Sequence, residues 1–160
     1  MIVLQLTVIA LFLIVLRQDY KDRRVSWFLF PLIGLLCFSI QLLKIGSISA
    51  IVNTVFNLIF TLLIVLVCFL YARWKLRRPF LKEVLGFGDI LFFGSIAFAF
   101  SITSFLVLFI FSLFFSLMLH MALQNKQSDR TVPLAGYMSL FFGTVYLIDL
   151  IFNYPLLYTS

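Results

Sequence analysis

The sequence predicts an all-α, polytopic integral membrane protein with about six transmembrane helices, forming a single domain over residues 1–160. Of its residues, 64% are apolar and only 11% are charged, whereas soluble domains are roughly half apolar and a quarter charged. The apolar residues form runs near the roughly 17–25 residues that a helix needs to cross a bilayer. Helices are expected because open strands leave backbone groups unsatisfied in lipid. These observations exclude a soluble globular protein.

Six segments of the chain match this pattern. The predicted helices cover residues 1–16, 27–43, 51–72, 88–100, 104–123 and 133–152. The first segment has neither the basic start nor the small-residue cleavage site of a signal peptide, so we expect a retained helix. The fourth is short for a full crossing, and residues 101–104, SITS, are expected to form a tight turn before the fifth.

The basic residues predict the orientation of these helices. All of the 12 Lys and Arg residues except Lys44 follow the first, third or fifth helix, and basic loops face the cytoplasm. Both termini are therefore expected outside, in a cytoplasmic (inner) membrane. This topology explains the net charge of +6 without a nucleic acid partner. For the basic segment 73–82 a second interpretation besides topology is open, namely that it binds anionic lipid or substrate.

The sequence shows no pattern that predicts a metal or a cofactor. Cys37 and Cys68 lie within apolar runs without CxxC spacing, as expected of small packing residues. His120 has no ligand-type residue at a suitable spacing, so we expect a packing residue that forms a hydrogen bond.

Asp149 lies well inside the sixth predicted helix, whereas the other charged residues lie between the predicted helices or, in the case of Asp89, at the start of one. It lies near the outer face, away from the other acidic residues. Pairing with a polar group such as Asn53 or Asn57 and simple access to the interface are both open, and no role is assigned to it.

Two acidic residues are the candidate catalytic groups. Asp19 follows the first helix and Asp89 begins the fourth, and two crossings separate them, so both lie on the same membrane face. Packing of the first and fourth helices as neighbours would bring the carboxylates together. A carboxylate pair that shares one proton can activate water and polarise a peptide carbonyl, as in aspartic proteases. The alternative is that Asp89 only caps its helix at the wet interface.

The glycines beside Asp89 suit a catalytic loop. Gly86 and Gly88 flank Phe87 in the segment GFGD. Because glycine lacks a Cβ atom, we expect unusual backbone torsions or a close approach to a peptide or a neighbouring helix. The aromatic residues around Phe87 are candidates for a groove that receives a hydrophobic substrate helix.

Three segments together resemble the type IV prepilin peptidases, a family that includes the archaeal preflagellin peptidases. DYKDRRVSW, residues 19–27, resembles the first motif of that family. GFGD, residues 86–89, is similar to its GxGD motif, and RTVPLAGYMSLFFG, residues 130–143, is similar to its C-terminal segment. The three motifs occur in the family's order and cover nearly the whole chain.

The resemblance implies a GxGD aspartyl protease that removes the basic leader of pilin-like or preflagellin-like precursors at the cytoplasmic face. It implies that Asp19 and Asp89 are catalytic and that Gly86, Phe87 and Gly88 form the supporting loop. By analogy with the Pro-Ala-Leu loop of presenilin-type proteases, it also implies a substrate-positioning role for four residues. These are Pro133, Leu134, Ala135 and Gly136.

The chain departs from the family pattern at a few places. Ser26 and Trp27 replace the usual Pro-Asn, and Leu91 replaces a frequent Lys. The cytoplasmic domain with paired CxxC motifs, which is associated with N-methylation, has no counterpart, so we expect neither methyltransferase activity nor zinc. Two alternatives remain: a catalytically silent scaffold of a pilus or secretion apparatus, and a small proton or cation transporter. A transporter is expected to have acids near the midplane and often an inverted repeat.

Overall fold

The computed structural model describes residues 1–76, 86–123, 133–153 and 157–158. Within these ranges the chain forms six α helices, one π-helical turn and no β strand. The helices are α1 (Ile2–Asp22), α2 (Leu29–Ile45), α3 (Ser47–Tyr71), α4 (Phe87–Ile96), α5 (Ile102–Leu123) and α6 (Leu134–Phe152), and the π-helical turn (Ala72–Leu76) directly follows α3. The prediction of an all-helical chain is confirmed for the described residues.

Four of the helices have the length and apolar composition of a membrane span. These are α1, α3 together with the residues up to Trp74, α5 and α6. Their outward faces carry many exposed large apolar side chains, as expected of surfaces that contact lipid. Helix α2 is shorter, and the 10 residues of α4 span only about 15 Å. The protein is therefore a helical membrane protein in which α4 does not cross the bilayer by itself.

Helix α1 is longer than predicted. It continues past residue 16 to Asp22 and ends at Arg23, which has the left-handed φ of 52°. The residues after the apolar run are polar, but none of them is Gly or Pro, so nothing stops the helix where the hydrophobicity ends. Asp19 is consequently held on a helix instead of in the loop that the sequence predicted.

Helix α4 is shorter than predicted, and the connection to α5 lies earlier. The helix ends at Ile96 and α5 begins at Ile102, so the turn is formed by residues 97–101 and not by SITS at 101–104. This segment is almost wholly buried, and its backbone groups need partners inside the protein. Asn57 Nδ2 donates to the carbonyl oxygens of Ala97 (3.1 Å) and Phe100 (3.0 Å).

The part of the core that lies between α1, α4 and α6 is rich in aromatic residues. The Phe12 ring of α1 packs against Phe92 of α4 and against Phe142 and Tyr146 of α6. Phe100, from the buried turn, completes the cluster by stacking on Phe142 at 6.0 Å between ring centroids. These contacts join the helices that carry the predicted catalytic residues.

Candidate active site

The first predicted catalytic residue, Asp19, contacts the beginning of α6. It lies in the last turn of α1, and its Oδ2 atom accepts a hydrogen bond of 2.6 Å from the backbone N–H of Gly136. The first N–H groups of any helix lack partners within that helix, so they are available to an acceptor from elsewhere. The carboxylate of Asp19 supplies such an acceptor for α6.

The second predicted catalytic residue, Asp89, is held by two backbone donors. It lies in the first turn of α4, where its Oδ2 accepts from the N–H of Gly86 at 3.1 Å. Its Oδ1 accepts from the N–H of Ala135 at 3.0 Å. Asp89 therefore caps its own helix, as one interpretation of the sequence proposed, and at the same time contacts α6.

The first turn of α6 brings the two carboxylates into one site. They bind the N–H groups of consecutive residues, Ala135 and Gly136. Because consecutive amide nitrogens are roughly 3 Å apart, the two accepting oxygens lie within about 9 Å of each other. The positive end of the α6 dipole also favours negative charge here. Asp19 and Asp89 are thus held near each other chiefly by α6, and α1 contacts α4 through the rings of Phe12 and Phe92.

Two glycines of the site lie where a Cβ atom would be closely confined, and neither has unusual torsions. A Cβ atom built on Gly136 would lie 3.1 Å from Asp19 Cβ and 3.0 Å from its Oδ2. A Cβ on Gly86 would lie 3.0 Å from Asp89 Oδ2. The φ of Gly86 is −71°, and Gly88 does not have a positive φ. The expectation of unusual torsions at Gly86 and Gly88 is therefore wrong. The close contact at Gly86 is with Asp89 of the helix that it caps and not with a neighbouring helix, whereas a Cβ on Gly88 would lie at an ordinary 3.8 Å from Phe30 of α2.

The other predicted site residues lie around the hydrogen bonds that Asp19 and Asp89 form with the start of α6. Pro133 is buried directly before α6, and Leu134 is half-buried at its first position. Phe87 is 63% exposed and lies at the start of α4, so its ring is available to a lipid or to a substrate. Within the segment 133–136, it is the backbone of its last two residues that binds the carboxylates.

Aromatic residues mark the level of the site in the membrane. Tyr20, Trp27, Tyr71 and Trp74 are all exposed, and each lies at the end of the helix bundle where α1 and α3 finish and α2 begins. Trp and Tyr are enriched at the boundary between lipid and water. The two carboxylates lie at the same end of the bundle as these aromatic residues, and both are only partly buried.

Asp149 lies at the opposite end of α6 from the carboxylate pair, with partners that the sequence did not predict. It is buried and forms a salt bridge of 2.8 Å with Lys44. Gln5 and Tyr158 also donate to it. Of the two possibilities left open, access to the interface is excluded by the burial of Asp149, and the amide of Asn57 donates to carbonyl oxygens instead of to Asp149. Lys44 is the one basic residue outside the three predicted cytoplasmic loops, and this isolated position was the feature of the sequence that could have indicated the pair.

The described residues contain no group of three or more His, Cys, Asp or Glu side chains that could hold a metal. Cys37 and Cys68 are unpaired thiols. Asp22 is exposed at the end of α1, but Glu83, Asp129 and most residues of the second and third basic loops lie outside the described ranges. The polar contacts described at the site are those between the two carboxylates and backbone N–H groups.

The chain was compared with models of protein families, with curated proteins and with solved structures, and no match was found in any of the three comparisons.

Proposed function

We propose that this protein is a membrane aspartyl endopeptidase in which Asp19 and Asp89 activate water to hydrolyse a peptide bond. One observation carries the proposal: both carboxylates accept hydrogen bonds from consecutive amides at the start of α6. These acidic side chains come from helices far apart in the sequence, and ionisable residues in or beside membrane spans are functional candidates by default. The resemblance of three ordered motifs to GxGD proteases supports the same reaction.

The proposed reaction needs no group beyond the dyad and water. The ionised carboxylate removes a proton from water, whose oxygen attacks the peptide carbonyl carbon. The protonated carboxyl gives its hydrogen to the carbonyl oxygen, which produces a tetrahedral diol. The first carboxyl then passes its proton to the amide nitrogen as the carbon–nitrogen bond breaks. A diol proton returns to the second carboxylate, which restores the shared proton and releases an acid and an amine.

The proposed substrate is a pilin-like or preflagellin-like precursor with a basic leader and a hydrophobic helix. The site at one end of the bundle would cut between the two, with the helix in the bilayer and the leader in water. The exposed aromatic residues at that end support an interfacial site. The proposed location is the cytoplasmic (inner) membrane, with both termini outside and the site on the cytoplasmic side.

The test is a cleavage assay of the full chain in liposomes with a panel of pilin-like precursors, the products being identified by mass. We expect one cut between the basic leader and the hydrophobic segment. Proton and cation flux is measured in the same liposomes. Flux that requires Asp19 and Asp89, without any cleavage, would contradict the protease proposal and favour a transporter. Neither cleavage nor flux across the whole panel would favour a silent scaffold.

A further inference from the structure

One side of α1 contacts α6 at three levels that are seven residues apart. The α1 residues are Gln5 at the first level, Phe12 at the second and Asp19 at the third. Val8 and Val15 lie between them and are fully buried. The resulting spacing alternates between three and four residues, which is the pattern of a coiled-coil seam.

The matching residues of α6 run in the opposite direction. At the first level, Asp149 Oδ2 accepts a hydrogen bond of 2.8 Å from the α1 amide side chain. At the second, the ring of Phe142 stacks on the α1 ring, with centroids 6.5 Å apart. At the third, the Gly136 N–H donates to the α1 carboxylate at 2.6 Å. The two helices are therefore antiparallel neighbours with one defined register.

The apolar part of this seam specifies its register only weakly. In a bilayer the lipid chains are as apolar as Val and Phe, so burial of these side chains does not favour one alignment strongly. A slip of one helical turn, about 5.4 Å, would still place apolar side chains opposite each other. It would also remove the Gly136 N–H from Asp19. Some other contact must therefore fix the alignment.

The cluster around Asp149 is the strongest polar contact along this seam. Four hydrogen bonds converge on its carboxylate: two from Lys44 at 2.9 and 2.8 Å, one from Gln5 at 2.8 Å and one from the Tyr158 hydroxyl at 3.0 Å. They come from α1, from α2 and from the segment after α6. The side chain of Asp149 is fully buried and that of Lys44 is 10% exposed. A slip of α6 would leave a buried charge without its partners, which is strongly disfavoured.

We propose that Asp149, together with Lys44 and Gln5, locks the register of α6 against α1 and thereby positions the dyad about 20 Å away. A buried polar residue in a coiled-coil seam has this role in other helix pairs, where it fixes the alignment. Asp149 is thus a positioning residue. Its effect on catalysis rests on the proposed function, whereas its effect on helix register does not.

The test measures the register directly by disulfide formation in the full chain, with Cys37 and Cys68 replaced by serine. A cysteine at Val15 is combined with a second cysteine on α6. The partner Ser139→Cys reports the observed register, and Ala135→Cys reports a slip of one turn. In the parent background we expect the 15/139 pair to oxidise at least about ten times faster than the 15/135 pair, since thiols must approach closely to bond.

The decisive background replaces the ion pair by apolar residues of similar size, Lys44→Met with Asp149→Leu. Such replacements commonly preserve folding, but they remove the lock, so we expect the two cysteine pairs to oxidise at similar rates. The reciprocal exchange, Lys44→Asp with Asp149→Lys, is expected to restore the parent's ratio. Gln5→Leu, which removes only the bond from α1 to Asp149, is measured in parallel as a milder variant. We expect it to lower the ratio of the 15/139 oxidation rate to the 15/135 oxidation rate, but less than the apolar pair does.

Unchanged oxidation ratios in the folded apolar variant and in Gln5→Leu would overturn the register lock. This result is independent of cleavage, so the two proposals fail separately. A changed ratio in a protein that cuts no precursor would leave the lock standing and count against the protease. An unchanged ratio in a protein that cuts precursors normally would count against the lock and leave the protease proposal standing.

Discussion

Replacing either Asp19 or Asp89 by Asn is expected to lower the rate of precursor cleavage by at least about 1,000-fold. An amide can neither take a proton from water nor share one with the remaining carboxylate. Because the two acids form one unit, the double variant is expected to be no slower than either single variant. The measurement is the initial cleavage rate in liposomes at equal amounts of folded protein.

The two Asn variants are expected to differ in stability. Both oxygens of Asp89 accept backbone hydrogen bonds. In Asp89→Asn the side-chain NH₂ group would therefore point at one of these N–H donors, and we expect the free energy of unfolding to fall by about 1–2 kcal/mol. For Asp19 only Oδ2 accepts such a bond among the described residues, and Asn can keep it.

The matched control for the cleavage rate is Asp22→Asn, one turn beyond Asp19 and exposed, which should keep the parent's rate within about two-fold. Equal loss of activity in the control would contradict the assignment.

Gly136→Ala is expected to lower the cleavage rate by about 100-fold or more, with little loss of folding. The new Cβ would lie 3.1 Å from Asp19 Cβ, an atom that can retreat only if α1 moves. The displaced carboxylate would lose its bond to the residue 136 amide. A misplacement of about 1 Å at a catalytic group can cost roughly 100-fold in rate. The measurement pairs the cleavage rate with a thermal unfolding curve.

Gly143→Ala provides the control on the same helix and at the same helix–helix contact. Its Cβ would lie 3.7 Å from Phe12 Cβ, an ordinary van der Waals separation. We expect it to retain the parent's rate within a few-fold and to unfold at a similar or slightly higher temperature, because Ala is the better helix former. If both glycine variants are equally active, the close approach of Gly136 to Asp19 has no role in catalysis.

The sequence predicted the features that depend on composition and on residue type. Apolar runs predicted the helices, and the acids on one face together with GFGD indicated the two carboxylates that the start of α6 holds near each other. The contribution of Ala135 and Gly136 could not be predicted in this form. Their backbone N–H groups hold the carboxylates, and a backbone donor is present at almost every residue, so no side-chain pattern reveals it.

The other differences between the predicted and the observed structure arise from polar residues whose partners are distant in the chain. The end of α4 depends on Asn57, which satisfies the carbonyls of Ala97 and Phe100 and so permits a buried turn. The Lys44–Asp149 pair joins residues far apart in sequence. Local hydrophobicity, which determined the predicted boundaries, contains no information about either contact.

The most direct test of the central claim, that Asp19 and Asp89 act together on one peptide bond, is the binding of a transition-state analogue. The ligand is a peptide that spans the cut site, with a hydroxyl-bearing carbon in place of the scissile carbonyl to imitate the tetrahedral diol. We expect tight binding to the parent and to Asp22→Asn, and affinity at least about 100-fold weaker for Asp19→Asn and for Asp89→Asn. Equal affinity in all four folded proteins would contradict a catalytic dyad at this site.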